Sequence, residues 1–401
     1  MKDRNVPKLR FNGFSDEWKE KSLGLLGEFF KGNGISKSEL SEDGEECILY
    51  GELYTKYSEV IEKVYSRTKI ELNNKVLSKV NDVIIPSSGE SAIDIATASC
   101  VKKDNVLLGG DLNVFRPKKD NGVFISYQLN NSKRNEIAKV AQGASVVHVY
   151  NEQLKKIKVN IPTLEEQEKI ENFLTKVDKI IEKQEKKVSS LEKYKKGMMQ
   201  KIFSQEIKFK KDDGGEYPEW RIEELNQFII EYTEKTTINN QYPVLTSSRN
   251  GLMLQSEYFK DRQITTEENI GYFVLPYGYI TFRSRSDDGK FVFNQNKIIE
   301  KGIISYFYPV FTFNNELDDY YGITYINNYL NKEILKEVVG TSQLVLSLNK
   351  LKKLKIKYPV LEEQIKIANF LSKIDSIVEK EKEKLEELRV WKKGLLQQMF
   401  I

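Results

Sequence analysis

Histidine and cysteine, the residue types that most often build metal centres and nucleophilic sites, are scarce in this chain of 401 residues. The only histidine, His148, lies in a Val-Val-His-Val run that predicts a β-strand, and we interpret it as a structural or polar contact rather than a catalytic group. The two cysteines, Cys47 and Cys100, form no disulfide framework and have no metal-site spacing, which is typical of the reducing cytoplasm. We therefore expect no metal site.

Two glycine-containing segments resemble parts of cofactor sites but lack the residues that would complete them. Phe30-Lys-Gly-Asn-Gly34 fits the Phe-x-Gly-x-Gly pattern of S-adenosylmethionine pockets, yet an amino-methyltransferase also needs an Asn/Asp-Pro-Pro-aromatic loop, and the chain contains no Pro-Pro. Gly289-Lys290 lacks the upstream glycine spacing and the following Ser or Thr of a phosphate-binding loop. The sequence therefore predicts a protein that is not itself an enzyme.

The composition indicates a folded chain of more than one domain. Hydrophobic residues make up 39% and charged residues 30%, which is too polar for a membrane protein, whereas 20 Phe and 21 Tyr are too many for a disordered one. At roughly 100–200 residues per domain, the length predicts two or more compact domains. No apolar run is long enough to span a membrane, and the first residues lack the apolar region of a secretory signal. We therefore expect a cytoplasmic location. The net charge of +4 permits nucleic-acid binding without arguing for it.

An internal repeat organises the chain. The segment from Ile157 to Leu174, which contains Pro-Thr-Leu-Glu-Glu-Gln, recurs from Leu354 to Leu371 with Pro-Val-Leu-Glu-Glu-Gln. The register then holds without a gap to Lys-Lys-Gly-Met-Met-Gln in the first copy and Lys-Lys-Gly-Leu-Leu-Gln in the second. About half of the aligned positions are identical, and upstream Gly143-Ala-Ser145 corresponds to Gly340-Thr-Ser342.

Each copy of the repeat predicts one long helix with an apolar seam. Apolar residues recur at heptad spacing over 170–198 and again over 367–395. Pro162 and Pro359 stand just before the helices, where a missing N–H is harmless, and the glutamates that follow suit the positive end of the helix dipole. Two helices of ~40 residues, or ~60 Å, are expected to pack against each other, with their Lys/Glu-rich outer faces solvated by default.

Two dissimilar blocks alternate with the repeats. Both mix strand-like runs with Asn-Gly and Asp-Gly turns, and their entries correspond, since Asp16-Glu-Trp18 mirrors Pro218-Glu-Trp220. We therefore predict an α+β protein with two α/β domains at residues 1–158 and 207–355, separated by two long antiparallel coiled-coil helices at 159–206 and 356–401. This layout is cyclic and has a pseudo-two-fold arrangement, a symmetry that matches duplex DNA.

These segments resemble the specificity (S) subunit of a Type I DNA restriction–modification system, and the resemblance covers essentially the whole chain. Its most specific motifs are the two Pro-x-Leu-Glu-Glu-Gln-x-x-Ile segments, Pro162–Ile170 and Pro359–Ile367, each of which opens a helix that ends in Lys-Lys-Gly-x-x-Gln. Weaker features include Tyr50-Gly-Glu-Leu-Tyr54. The resemblance implies sequence-specific DNA recognition, in which each variable block is a target recognition domain that reads one half of a bipartite site.

The resemblance also implies the partners of the chain. The helices would set the spacing between the two domains and dock two methyltransferase (M) subunits for adenine methylation, and motor-nuclease (R) subunits would join that core for restriction. Double-stranded DNA is then a partner and a membrane is not. The chain itself would be a non-catalytic subunit with no cofactor, since S-adenosylmethionine, ATP and Mg are expected only in the partner subunits. A freestanding DNA-binding regulator remains the alternative, whereas a pure coiled-coil scaffold would not need two dissimilar blocks.

Readers of DNA need Arg, Asn, Gln, Ser and Thr at base edges, with Lys and Arg on phosphates. In the second block Arg283 and Arg285 face one side of an extended segment, although a surface salt bridge with Asp287 or Asp288 is the alternative. The candidates of that block are Thr246, Ser247, Ser248, Arg249, Asn250, Arg283 and Arg285. Their counterparts in the first block are Lys56, Tyr57, Ser87, Ser88, Ser91, Arg116, Lys118 and Lys119. Four further candidates lie in turns that recur in both blocks, which favours a shared backbone or phosphate role: Ser145, Thr341, Ser342 and Gln343.

Overall fold

The chain folds into two compact units in a computed structural model that describes residues 5–71, 73–143, 146–259, 268–340 and 343–401. The first unit consists of residues 1–188 and 381–401, and the second consists of residues 189–380. Each unit therefore contains one variable block together with a segment of each long helix.

The first unit is built from short strands and helices. Its strands, within the described residues, are β1 (Lys19–Ser22), β2 (Gly27–Lys31), β3 (Leu40–Ser41), β4 (Glu45–Ile48), β5 (Val60–Ile61), β6 (Ser66–Thr68), β7 (Val83–Pro86), β8 (Ser88–Gly89), β9 (Ser99–Val101), β10 (Leu107–Leu108), β11 (Leu112–Pro117), β12 (Val147–His148) and β13 (Lys158–Ile161). Its short helices are α1 (Leu23–Leu26), α2 (Ala92–Ile95), α3 (Gly122–Asn130), α4 (Arg134–Val140) and α5 (Asn151–Leu154). The first long helix, α6 (Leu164–Phe203), begins in this unit.

A five-stranded sheet in the order β2-β11-β7-β9-β5 forms the centre of the first unit. Its strands are antiparallel except for the pair β5 and β9, which is parallel. Side chains of β7 alternate between the two faces: Val83 and Ile85 belong to the main core with Phe124 of α3, whereas Ile84 belongs to a separate cluster with Leu53. Both faces of this sheet are thus covered, and a second sheet has the order β10-β4-β6-β3.

The second unit has its own strands and helices. Its described strands are β14 (Arg221–Glu224), β15 (Ile229–Tyr232), β16 (Leu245–Ser248), β17 (Gly251–Leu254), β18 (Phe273–Pro276), β19 (Ile280–Phe282), β20 (Arg285–Ser286), β21 (Phe293–Gln295), β22 (Lys301–Ile304), β23 (Val310–Phe313), β24 (Leu344–Val345) and β25 (Lys355–Tyr358). Its short helices are α7 (Gln255–Phe259), α8 (Asp319–Tyr329), α9 (Asn331–Glu337) and α10 (Leu348–Lys352), and the second long helix, α11 (Leu361–Met399), begins here.

The central sheets of the two units share one topology although their sequences differ. The order β15-β23-β19-β21 in the second unit matches β2-β11-β7-β9 in the first. In each unit a very short strand follows the equivalent strands β7 and β19. This short strand pairs with a strand that is distant in sequence: β8 pairs with β12, and β20 pairs with β24. Aromatic side chains fill the second core, where Phe282 lies 4.6 Å from Phe293 between ring centroids.

The two long helices pack antiparallel, as the repeat predicts. In the first unit Asp178 of α6 pairs with Lys392 of α11, and Gln184 of α6 binds Glu381 of α11, so residue numbers rise in opposite directions along the seam. No helix in the described part of the chain is long and apolar enough to cross a membrane. The N-terminal segment meets the end of α11 in the first unit, where the amide of Leu9 donates to the carbonyl of Gln398 at 2.9 Å. The cyclic order of the elements is therefore confirmed.

The glutamine of the Leu-Glu-Glu-Gln motif fastens each long helix to its own domain. Gln167 is buried, accepts a hydrogen bond from the amide of Asn121 at 2.8 Å and donates to the carbonyl of Pro162 at 3.1 Å. Gln364 accepts from the amide of Asp318 at 2.8 Å in the same way. Because the side chains of Asn121 and Asp318 cap α3 and α8, each glutamine joins the start of a domain helix to the start of a long helix.

A lysine from the far helix is inserted into the first unit. Lys392 of α11 forms ion pairs with Asp178 at 2.7 Å and with Glu59 at 3.1 Å, and the hydroxyl of Tyr127 donates to Asp178. Burial raises the pKa of Asp178. Burial opposes the charge on Lys392, but the two carboxylates outweigh it and raise the pKa of this lysine. The lysine thus joins α11, α6 and the first variable block.

The second unit contains the same arrangement with the helices exchanged. Lys195 of α6 pairs with Asp375 of α11, and the hydroxyl of Tyr320 on α8 donates to that aspartate. Lys195 and Lys392 are the first lysines of the two Lys-Lys-Gly motifs. The motif is therefore repeated because each unit needs a cation from the helix whose beginning lies in the other unit.

Removing the Lys392 cation should destabilise the first unit. Lys392→Met leaves Asp178 and Glu59 partly buried without their cation, and breaking such a pair costs about 3 kcal/mol of unfolding free energy. The control Lys187→Met removes an ammonium group that is half exposed beside Glu381, so its loss should stay within about 1 kcal/mol. Urea unfolding followed by circular dichroism measures both, and equal losses for the two variants would contradict the structural role of Lys392.

Candidate nucleic-acid interface

An open cleft of about 1060 Å³ lies in the second unit, where loops follow the strands of the central sheet. Every described candidate that the sequence offers in this block lines the cleft: Thr246, Ser247, Ser248, Arg249, Asn250, Arg283, Arg285 and Gln343. They come from three separate segments of the chain, around β16, around β20 and before β24. The fold thus brings together side chains that sequence spacing alone could not join.

An aspartate organises one wall of the cleft. Asp288 accepts hydrogen bonds from the amide of Lys290 at 3.2 Å, from the hydroxyl of Ser286 at 3.0 Å and from the guanidinium of Arg249 at 2.6 Å. These hydrogen bonds hold the pKa of Asp288 below its ordinary value, and the bond from the Lys290 amide has the largest effect. Asp288 is therefore paired with Arg249, and Asp287 accepts from Gln343 at 3.2 Å.

The cleft lining also contains two aromatic side chains that the sequence analysis missed, Tyr306 and Phe307, and with Arg285 they form a group that we call the Arg285 stack. The guanidinium of Arg285 lies 4.0 Å from the ring centroid of Phe307, and the ring of Tyr306 lies 4.1 Å from that of Phe307. Tyr306 is 64% exposed. The sequence assigns Tyr306 and Phe307 to a strand-like apolar run, and only their position between β22 and β23 reveals them as loop residues.

This stack presents two planar groups and an arginine to solvent. A guanidinium held over an aromatic ring keeps donors available for the O6 and N7 atoms of guanine, and an exposed ring offers a surface for stacking. Arg283 is also exposed, and no partner for it is found among the residues that the structure describes. The cleft can therefore bind a polar, planar and anionic ligand.

Buried hydroxyls position the polar tip of the cleft. The side-chain amide of Asn294 donates to the hydroxyl of Ser247 at 2.8 Å and to the carbonyl of Ser248 at 2.9 Å. The hydroxyl of Ser248 in turn accepts from the amide of Asn250 at 3.1 Å. Thr246 and Ser247 are buried, so they support the tip, whereas Arg249 and Asn250 are exposed.

The recurring Gly-x-Ser turns provide a common backbone in both units. Gly143 and Gly340 have φ values of +130° and +116°, and a Cβ atom there would lie 2.0 and 2.1 Å, respectively, from the carbonyl oxygen of the residue three positions further along the chain. Only glycine fits such a turn. The candidates Ser145, Thr341 and Ser342 lie outside the described residues.

In the first unit most candidates have partners within their own domain. Lys56 pairs with Glu52 at 2.7 Å, the hydroxyl of Tyr57 accepts from an amide, and Ser91 caps α2. Arg116 forms a two-pronged ion pair with the fully buried Asp82. Each of these four side chains is thus held by a contact within the first unit.

The remaining first-unit candidates lie at opposite ends of β11. Ser87 and Ser88 follow β7, whose end pairs with Leu112 at the start of β11. Lys118 and Lys119 are exposed and follow the other end of β11, about 17 Å away at the rise of an extended strand. The hydroxyl of Ser88 is 3.0 Å from Nδ1 of His148, a residue that the sequence analysis set aside.

The structure also accounts for the glycine segment that resembles a cofactor pocket. A Cβ atom at Gly32 would lie 2.0 Å from the carbonyl oxygen of Gly109, so glycine is needed there for close packing of two backbones. Among the described residues, no three His, Cys, Asp or Glu side chains are grouped so as to hold a metal ion.

Two α/β domains and two long antiparallel helices are the arrangement that the sequence motifs predict for a DNA-specificity protein. The family model described as "Type I restriction modification DNA specificity domain" matches residues 15–193 and 196–389, and the chain belongs to this family. It is a specificity subunit of a type I restriction–modification system, as the sequence motifs predict.

Curated relatives and solved structures agree with this assignment. The chain is 25% identical to the Type I restriction enzyme MjaVIII specificity subunit of Methanocaldococcus jannaschii, over 97% of this chain and 94% of that protein. It is 29% identical to a putative type I restriction enzyme MjaX specificity subunit of the same organism, over 72% of this chain and 70% of that protein.

The fold is that of a solved S subunit. The crystal structure of the Type-I restriction–modification system S subunit from M. genitalium matches 99% of both chains with a TM-score of 0.62 and 17% identity. A chain from a structure of the type I R-M system that addresses complex assembly and conformational transition matches 96% of this chain and 97% of its own length, with a TM-score of 0.50 and 16% identity.

The stack in the cleft makes a prediction about coupling. If Arg285 binds a guanine while resting on Phe307, Arg285→Ala should weaken DNA binding by about 1–3 kcal/mol. Phe307→Ala should cost part of the same energy, because it releases the guanidinium from its ring, and the double variant should be no weaker than Arg285→Ala alone. Fluorescence anisotropy with duplexes that carry the adenine-methylated site of the host genome measures these affinities. Additive losses would show that the ring and the guanidinium act separately.

Proposed function

We propose that this chain is the non-catalytic DNA reader of its complex, in which each variable block reads one half of a bipartite target. The proposal rests on a contrast between the architecture that the two units share, which we call the frame, and the different side chains that they expose. Both units repeat the same glutamine anchor, the same lysine contact and the same sheet order, whereas cleft residues of the second unit differ in type from those at equivalent positions of the first, as Arg285 differs from Ser88. A repeated frame with different readers suits a target whose halves have different sequences.

We further propose that two M subunits dock on the long helices, one on each unit. Exposed apolar side chains occupy equivalent positions of the two repeats, which is unusual for helices whose outer faces are otherwise charged. These pairs are Leu164 and Leu361, Ile180 and Ile377, and Tyr194 and Trp391. Because the same surface occurs once in each unit, it fits two copies of one partner rather than two different proteins.

Two helix-interior glycines support the docking proposal. Inside a helix, glycine lowers stability by about 1 kcal/mol relative to alanine. Gly197 and Gly394 nevertheless lie inside α6 and α11, within the last two turns of each helix. A Cβ atom at either position would meet nothing within 4 Å, so packing among the described residues does not require glycine. Gly394 follows the buried Leu385 by about two and a half turns, which places it on the outer face of the helix pair. A partner backbone that approaches closely there would require glycine.

Methyl transfer and cleavage then belong to the M and R subunits, which also hold S-adenosylmethionine, ATP and Mg. The family assignment favours this function over a freestanding DNA-binding regulator, because a regulator would need neither the repeated helix surface nor the two glycines.

The purified chain should methylate no DNA by itself. Adenine methylation of a plasmid should begin only when an M subunit is added with S-adenosylmethionine, and it is measured as protection from cleavage or by sequencing of modified bases. Methylation by the chain alone that is abolished by Gly32→Ala or Gly34→Ala would contradict a non-catalytic role.

Bulk at the helix glycines should reduce the number of bound M subunits. Gly394→Leu and Gly197→Leu should each leave one M subunit on the complex instead of two, and the double variant should bind none, as measured by native mass spectrometry. The two single variants serve as controls for each other, since each leaves the other unit intact. Leucine is the better helix former, so neither variant should lose unfolding free energy. Full binding of two M subunits by the double variant would refute docking at these glycines.

A further inference from the structure

The segment of the second unit that carries Arg285 has a topological equivalent in the first unit. After β7 the chain forms β8, and the amide of Val149 donates to the carbonyl of Ser87 at 3.1 Å. After β19 it forms β20, and the amide of Leu346 donates to the carbonyl of Ser284 at 2.9 Å. This register assigns Ser88 to the position that Arg285 occupies in the second unit.

The register also identifies the equivalent of His148. His148 pairs with Ser88 across β8 and β12, and it forms a bridge with Gln142. In the second unit Val345 pairs with Arg285 and forms a bridge with Val339. The only histidine of the chain thus stands beside the reader position, where the second unit has an apolar residue.

The side chains around His148 form a small polar cluster. Nδ1 of His148 lies 3.0 Å from the hydroxyl of Ser88, and its ring is stacked on Tyr150 with 6.3 Å between centroids and 17° between planes. Nζ of Lys31 lies 5.7 Å from the Tyr150 ring centroid. Tyr150 is 52% exposed and Lys31 is exposed as well. The cluster therefore combines an imidazole, an exposed ring and a cation, and the Arg285 stack of the second unit likewise combines an exposed ring with a cation.

We propose that Lys31, Ser88, His148 and Tyr150 read a purine in the half-site of the first recognition domain. This inference rests on the proposed function of the chain as a two-domain DNA reader. Base reading by His148 uses the tautomer in which Nδ1 accepts from the Ser88 hydroxyl, 3.0 Å away, and Nε2 carries the proton as a donor. N7 of either purine and O6 of guanine are the major-groove acceptors that such a donor recognises. Tyr150 supports the imidazole plane, and Lys31 binds a neighbouring phosphate.

Methylation patterns test this inference. The complex of the full chain with its M subunits is given S-adenosylmethionine and a plasmid library randomised over the target, and methylated adenines are read by sequencing. His148→Ala should relax the preference for a purine at one position by about tenfold, the factor of one lost base contact. That position should lie in the half-site that Arg285→Ala leaves unchanged. Replacing the purine with its 7-deaza analogue should slow methylation by the unmodified complex and have no further effect on the His148→Ala complex.

Matched variants separate base reading from other roles. Tyr150→Leu should relax the same position and Ser88→Ala should do so more weakly, because the first removes the ring beneath the imidazole and the second removes its hydrogen bond. Tyr65→Leu is the control, since Tyr65 is also exposed, stacked on a neighbouring ring and covered by a lysine in the same unit. The backbone bonds of His148 to Gln142 do not need the imidazole, so the fold should persist, and a thermal melt verifies this.

Three outcomes would overturn the inference. A uniform fall in methylation over all sequences would identify phosphate contacts, an unchanged pattern would exclude contact, and an equal effect of Tyr65→Leu would show that the cluster is not the reader. Failure of the proposed function would look different: the unmodified complex would then show no two-part pattern, or His148→Ala and Arg285→Ala would relax the same half.

Discussion

The insertion of one lysine from the far helix into each unit is the contact on which the architecture depends. Lys392 reaches Asp178 and Glu59 in the first unit, and Lys195 reaches Asp375 in the second. Desolvating an ammonium group is unfavourable, so this geometry persists only because carboxylates and a tyrosine hydroxyl compensate it. Since each lysine belongs to the helix that begins in the other unit, neither unit can complete its core without the whole chain.

This frame leaves the reading surface free to vary. The glutamine anchors, the inserted lysines and the turn glycines act through buried, partly buried or backbone contacts, whereas Tyr306, Arg285 and Tyr150 are exposed. Side chains at loop tips contribute little to the core, so they can change without unfolding the domain. The pair Arg285 and Val345 and the pair Ser88 and His148 occupy equivalent positions of one backbone register.

The sequence predicts the long helices and their pairing well, because a repeat with heptad spacing constrains both the length and the apolar face. It also predicts part of the cleft lining in the second unit, since Thr246–Asn250 form one continuous polar run. It does not predict the role of the Lys-Lys-Gly lysines, because their partners are distant in sequence and a charged helix face looks solvated. The sequence also does not predict the contact between His148 and Ser88, because this contact depends on strand register, which single-sequence patterns do not encode. Tyr306 and Phe307 read as strand residues because aromatic residues favour strands as well as exposed stacking sites.

Two self-similar helices raise a problem of pairing, because each could associate with a copy of itself as readily as with the other. The seam resolves it with one unlike pair. Gln184 is buried at the position of α6 that Glu381 occupies in the repeat of α11, and its amide donates to the Glu381 carboxylate at 2.7 Å while Lys187 pairs with the other carboxylate oxygen. These contacts hold the pKa of Glu381 below its ordinary value, and the hydrogen bond from Gln184 has the largest effect. Pairing two copies of α11 would place two glutamates opposite each other, whereas pairing two copies of α6 would forgo the charge-assisted bond. One polar position thus makes the two helices of a single chain better partners for each other than either is for its own copy.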